Sequence, residues 1–285
     1  MDLICDEEMV DVISEPLIFL PMTEFDIDLI DDWYTTMLHQ ERNVLLYNPT
    51  LHYVQTRHLL VQWTSDVGEA LNIEQWIVHA AIVYLDRILS NGEHPPTSQM
   101  QLYCLCSLYI AAKFFALDAD IPSLEEVHAY GCGLYTIEDI KKCEGCILHL
   151  LQWSLSALHP LQFVRFFVAS TPLYNDDMMH DLQIQPTSQI LESYRQQVEC
   201  LAQMCMLEYS FQQYLPSIVA TSIIAAGRRI MDISPIWRQE LEELTGYCGN
   251  AIEACFNHVW HHYVSNYPSK QQMSLDTSPT AVSDI

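Results

Sequence analysis

The sequence predicts an all-α protein, two tandem five-helix units behind an N-terminal helix, and three observations carry that expectation. Glycine is scarce, 8 residues in 285, and prolines sit mainly at segment edges, so hairpin signals are few. Apolar residues recur at helical spacing, first Leu59, Leu60, Trp63 and Val67, then Ile73, Ile77, Ala80, Tyr84 and Ile88. The pattern also repeats: Ile110-Ala111-Ala112-Lys113 and Ile224-Ala225-Ala226-Gly227 fall at equivalent places in the two units. Half of the residues are hydrophobic, which supports one large or two mid-sized cores.

The elements follow in order. Residues 1–32 hold eleven acidic residues and no Lys or Arg, so 1–23 reads as a solvated arm and 24–50 as a short helix, about 24–40, with its linker. The first unit, 51–158, contains the two helices already named, separated from a third by the breaker SNGEHPPTS (residues 90–98). That third helix, around 102–112, is apolar on every side except Ser107 and should be wrapped by the others. Ser123 with Glu126, and Thr136 with Asp139, have capping-box spacing and start the fourth and fifth. In the second unit, 159–264, Pro160 opens a helix, and a polar loop spans about 172–187. A long helix then runs to about Tyr209, and an apolar one spans Pro216 to Met231. Ser234-Pro235 is expected to start the next helix as N-cap and first residue, and the last runs from about Asn250 to Tyr263. Residues 265–285 read as a flexible Ser/Thr/Pro-rich tail.

Charge and cysteine usage limit the function. A formal charge of −25, from 37 acidic and 12 basic side chains, opposes binding to nucleic acid or to an anionic membrane surface and favours a protein partner. The ten cysteines lie mostly in apolar helical patterns, where a free thiol behaves as a small hydrophobe, and imply a reducing interior, nuclear or cytoplasmic. The N-terminus is acidic rather than basic, and the longest apolar runs fall short of the roughly 18 residues that span a bilayer, so neither a secretory nor a membrane segment is expected. No Gly-rich phosphate loop or nucleophile constellation is present. Cys143, Cys146 and His149, and His258, His261 and His262 near Cys255, lack the second spaced pair that zinc wants, so no metal and no cofactor is expected.

Lys113 stands out. It is the only Lys or Arg between Arg87 and Lys141, and it closes the apolar third helix. A lone ammonium there must find a carboxylate of its own chain or face the carbonyls of a partner. Its counterpart in the second unit is Gly227, and that asymmetry leans toward function.

Several separated blocks resemble the cyclin family across roughly residues 24–264: TRHLLVQW (56–63), VYLDRILS (83–90), QLYCLCSLYIAAKF (101–114), CEGCILHLLQWSL (143–155), and YLPSIVA with ELTGY in the second unit. IPSLEEVHAYGC, QWSL and MDISPIWRQELEELTGYC look most similar to J-type cyclins. The resemblance implies two tandem cyclin boxes, the first of them kinase-binding. It also implies a regulatory subunit, not an enzyme, that binds and activates a cyclin-dependent kinase in cell-cycle control. By the same resemblance Lys113 and Glu144 anchor the kinase's regulatory helix and the loop before it through backbone groups. The bare-sequence alternative is that the two side chains only pair with each other. Phe114, Leu148, Trp153 and Leu155 fall where the family places apolar contacts to that helix. Arg57 and Asp86 fall on a structural ion pair tying the first two helices. Leu59, Leu60, Trp63, Asp66, Met100 and Gln101 fall on the patch that docks Arg-x-Leu substrates.

There are departures. Thr56 stands where the patch usually has methionine, and Phe115-Ala116 replaces the Glu-Glu that relatives often carry after Lys-Phe, losing two carboxylates near the kinase's activation segment. Leu3, Cys5 and Glu7 spell an LxCxE pattern resembling the ligand of retinoblastoma-type pocket proteins, and Ser278-Pro279 resembles a proline-directed phosphosite. Arg42-Asn-Val-Leu45 fits only a minimal destruction-box fragment. Two other function classes compete with the kinase activator: a cyclin-fold adaptor or scaffold that activates no kinase, and a metal-dependent helical enzyme.

Overall fold

The computed structural model describes residues 27–42, 53–90, 95–131, 133–170 and 172–267. Helix α1 (Ile27–Glu41) precedes a five-helix unit of α2 (Val54–Ala70), α3 (Gln75–Ser90), α4 (Met100–Phe115), α5 (Leu124–Tyr130) and α6 (Ile137–Leu150). A second set of five follows: α7 (Pro160–Ala169), α8 (Ser188–Leu207), α9 (Pro216–Ile230), α10 (Gln239–Thr245) and α11 (Gly249–Asn266). The two apolar helices are the hubs. Helix α4 packs against α2, α3, α5 and α6, and α9 against α1, α7, α8 and α11. Each is hub because it is apolar on nearly all faces, with Leu102, Leu105, Leu108 and Ile110 buried in α4 and Val219, Ile223 and Ile224 in α9.

Local chemistry sets the helix ends. Both expected capping boxes form: Ser123 Oγ accepts from the Glu126 amide and Thr136 Oγ1 from the Asp139 amide, while each acid bonds back to its cap residue. These bonds hold the Glu126 and Asp139 carboxyls below their usual range, by the Ser123 hydroxyl first for Glu126 and the Thr136 amide first for Asp139. Helices α7 and α9 open on Pro160 and Pro216, where no amide donor is lost.

Three expectations are corrected. Ser234-Pro235 does not start a helix: Ser234 lies in a strand, the Ser234–Pro235 peptide is cis, and α10 begins at Gln239. The loop at 172–187 is not structureless. It carries β1 (Met178–Met179) and β2 (Leu182–Gln183), and β3 (Ile233–Ser234) pairs with β1 in the order β2-β1-β3. A partner distant in sequence supplies the ladder, which local propensity cannot show. Finally, the glycine that replaces lysine in the second unit has a packing cause. A Cβ on Gly227 would lie 2.5 Å from Val198 Cγ1 and 3.2 Å from Tyr194 Cε2, so α8 and α9 approach too closely for any side chain. The Lys113/Gly227 asymmetry therefore carries no weight for function.

Candidate functional site

Lys113 sits in the last turn of α4, where a cation also complements the helix dipole, and Glu144 lies halfway along α6, which packs beside it. Lys113 Nζ donates to Glu144 Oε1, and the ammonium lies 4.3 Å from the centroid of the Tyr109 ring. The internal pairing foreseen as one alternative therefore exists in the free chain. It is not sealed: the side chains remain 35% and 18% exposed. The ammonium keeps further donors, and the carboxylate further lone pairs, for an incoming backbone. Burial, then the Glu144 and Glu125 carboxylates, push the Tyr109 hydroxyl up.

The apolar residues expected beside the pair lie on the same two helices or just after α6. Phe114 is 53% exposed, Trp153 is 72% exposed, and Leu148 and Leu155 are half-buried. Trp153 is presented by a constrained turn. After α6 both Gln152 and Trp153 take left-handed backbone, φ 52° and 58°, which side-chain-bearing residues adopt only where the surroundings impose it. The surroundings here are α3. Arg87 Nη1 donates to Ser154 O at 2.8 Å, and the Tyr84 hydroxyl donates to Leu155 O at 2.5 Å. Phe115, by contrast, turns inward and meets Trp76 edge-on, with centroids 5.3 Å apart.

The six residues of the second candidate patch divide. Leu60, Met100 and Gln101 line one groove of about 950 Å3 between α2, the start of α4 and α6, which Thr56, Leu134 and Lys142 also line. Leu59 (62% exposed), half-buried Trp63 and exposed Asp66 lie outside that lining, and Asp66 accepts a 2.9 Å bond from Gln62.

Arg57 and Asp86 form a buried, two-pronged pair at 2.8 Å, joined by the Tyr53 hydroxyl. Burial opposes the guanidinium's charge, but Asp86 more than offsets it and holds Arg57 above its ordinary range. The pair does more than tie α2 to α3. Arg57 Nη1 also donates to Met206 O at 2.8 Å and Leu207 O at 3.2 Å, so it bonds the end of α8 and joins the two units.

Sequence reasoning missed three features. Arg228, wholly buried in α9, pairs with Asp177 at 2.5 Å and donates to Pro172 O and Pro235 O, both at 2.8 Å. A cation at the end of an apolar helix was the signal read for Lys113, and Arg228 carried it too. Glu41 of α1 accepts from the Ser217 amide (2.9 Å) and hydroxyl (2.6 Å), capping α9 from another helix; nothing in the local sequence marks this. Buried His79 and His159 face each other with centroids 5.1 Å apart beside a cavity of about 50 Å3 at the seam between the units. Leu3, Cys5, Glu7 and Ser278 lie outside the described residues. Among those described, no helix is long and apolar enough to cross a membrane.

Comparison with known proteins adds the following. The family model described as the N-terminal domain of cyclins matches residues 32–156, and that of the C-terminal domain matches 158–279. Cyclin-D of Ostreococcus tauri is 30% identical over 194 residues, covering 67% of this chain and 51% of the relative. Cyclin-A3-1 of Oryza sativa subsp. japonica is 26% identical, with coverages of 73% and 54%. Cyclin-J of Xenopus laevis is 22% identical, with coverages of 80% and 60%. The chain thus spans about half the length of the first two of these relatives. Among solved structures, a viral cyclin from herpesvirus saimiri superposes with a TM-score of 0.64 at 13% identity, covering 80% of this chain and 95% of that one.

Proposed function

The chain belongs to the cyclin family, and from that premise we propose that it is the regulatory subunit that binds and activates a cyclin-dependent protein kinase in cell-cycle control. The observation that carries this reading is the accessible Lys113–Glu144 pair, with exposed Phe114 next to Lys113 on α4 and exposed Trp153 just beyond the end of α6, the helix that bears Glu144. A purely structural ion pair has no need of large apolar side chains left in water on the same two elements.

By the family's mechanism, the kinase's regulatory helix lies along Phe114, Leu148, Trp153 and Leu155. Lys113 donates to backbone carbonyls of that helix and the loop before it, and Glu144 accepts from backbone amides. Opening the existing pair costs little, because partly exposed ion pairs are worth roughly 0–1 kcal/mol. The bound helix turns inward, which completes the kinase's own Lys–Glu pair and orders its activation loop. No chemistry comes from the cyclin. It acts by binding the active conformation more tightly than the inactive one. The groove of Leu60, Met100 and Gln101, with Leu59, Trp63 and Asp66 on the adjoining face of α2, offers apolar surface and a carboxylate to an Arg-x-Leu substrate. Leu3, Cys5 and Glu7 are the corresponding proposal for a pocket protein.

The test is capture of kinase from lysate by the full chain, read as histone phosphorylation. Lys113→Ala and Glu144→Ala should each fold normally and lose most of the captured activity. Variants that capture as much active kinase as wild type would remove the anchor. A wild type that captures none would favour the adaptor reading.

A further inference from the structure

Two thiols bracket Glu144 in the run Cys143-Glu144-Gly145-Cys146, midway along α6. Cys146 is exposed, Cys143 is 7% exposed, and both line the groove between α2, the start of α4 and α6. The two sulfurs therefore share one open space. Cys146 Sγ also lies 3.7 Å from the Tyr103 hydroxyl of α4. A third thiol, Cys106 of α4, is wholly buried and donates to Ile140 O at 3.6 Å. Its hydrogen bond with Cys143, then burial, hold it far above the ordinary thiol range, so it stays protonated and is a poor partner for exchange.

Residues three apart on a helix hold their Cβ atoms about 5–6 Å apart, whereas a disulfide needs roughly 3.5–4.5 Å, so the turn joining the two cysteines must tighten by about 1–2 Å. Gly145 permits that. It is exposed, nothing stands within 4 Å of where its Cβ would be, and glycine holds a helix poorly. The residue carried along is Glu144. Its carboxylate meets Lys113 from regular helix, and a tightened turn re-aims it away from that position. In a reducing compartment such a disulfide is transient, which suits a signal rather than a structural brace.

We propose that Cys143 and Cys146 form a reversible, peroxide-driven disulfide that withdraws Glu144 from the kinase, a proposal whose second half rests on the kinase-binding reading above. Hydrogen peroxide oxidises the exposed Cys146 thiol to a sulfenic acid and is itself reduced to one water. The Cys143 sulfur then attacks that sulfur. The S–S bond forms, the S–O bond breaks, and the hydroxide leaves with the Cys143 proton as a second water. Two thiols thus give up two electrons and two protons, and a dithiol reductant returns them by exchange.

The test has two arms, both on the full chain. In the first, the protein is treated with hydrogen peroxide, alkylated and digested with trypsin, which cuts after Lys142 and Arg165 and leaves both thiols in peptide 143–165. That peptide should stay unalkylated, weigh two hydrogens less than its reduced form, and take up two alkyl groups after dithiothreitol. A cross-link to peptide 88–113, which carries Cys106, or oxidation confined to single sulfurs overturns the proposal. In the second arm, peroxide is removed and the protein is offered kinase in thiol-free lysate. Oxidised wild type should capture several-fold less histone-kinase activity than the same sample after dithiothreitol, and Cys146→Ser should show no such difference. Equal capture by oxidised and reduced wild type, or an equal loss in Cys146→Ser, overturns the control of Glu144 and leaves the kinase reading standing. A reduced wild type that captures no kinase overturns the kinase reading and the regulation with it, and leaves the disulfide to stand on the first arm.

Discussion

Arg57 places a guanidinium, 1% exposed, where water cannot solvate it. Removing its counter-ion should therefore be far more costly than removing a surface pair. Asp86→Ala is expected to lose about 3–5 kcal/mol, because it leaves the charge buried and uncompensated. Denaturant unfolding monitored by circular dichroism checks it. Gly227→Ala should cost at least about 1–3 kcal/mol by overpacking α8 against α9. Single residues were unevenly legible in the sequence. Lys113 announced itself as a cation at the end of an apolar run, and Arg57 through a family motif. Arg228 carried the same signal as Lys113 one unit later, yet its partner Asp177 lies in a loop whose path no periodicity describes. Phe115 was readable as a departure from the family, but its inward turn onto Trp76 depends on α3, which sequence spacing does not position.

Helix α6 brings Glu144 to the surface and depends on the Thr136 capping box for its start. Thr136→Ala should destabilise the protein by about 1 kcal/mol, and Thr136→Ser should restore it, as read by thermal unfolding. Lys113-dependent kinase capture should fall in step if the frayed turn reaches Glu144. Elements of this kind were the most legible part of the fold, since a cap and a 3.6-residue period are both local. The small sheet was not. Met178 pairs with Ser234 across the whole of α8 and α9, and it is this pairing that removes Ser234-Pro235 from the helix that the dipeptide otherwise signals. Helix α9 raises the same difficulty at its start, where the cap comes from Glu41 in α1. Glu41→Ala leaves the Ser217 amide buried without an acceptor and should cost about 1–3 kcal/mol, measurable by denaturant unfolding.

For the molecule as a whole, the seam between the boxes should be sensitive to acid. Burial pushes His79 down to about 3 and His159 well below its ordinary value, and Arg165 disfavours a charge on either ring. In the unfolded chain each titrates near 6.5. Below about pH 6.5 the unfolded state binds protons that the folded state refuses. For His79, stability is therefore full above about pH 6.5 and is lost as pH falls toward about 3, by up to about 1.4 kcal/mol per unit, and His159 adds a loss of the same sign. Carboxylates held low by their partners, such as Glu192 by Arg195, add a loss of the same sign at lower pH. The share of His79 is thus the difference between wild type and His79→Phe, whose stability should fall less steeply between pH 6 and about 4. Helix α1 has a consequence of another kind. It precedes both boxes in the chain, yet Tyr34 stacks on Phe166 at 5.0 Å and bonds Thr245 O at 2.7 Å, and Glu41 caps α9, all in the second box. On the ribosome its apolar face is therefore made before its seat exists. It must wait uncovered through the synthesis of the whole first box, a long interval in which a nascent cyclin depends on chaperones, or on the acidic residues that precede the helix, to stay soluble.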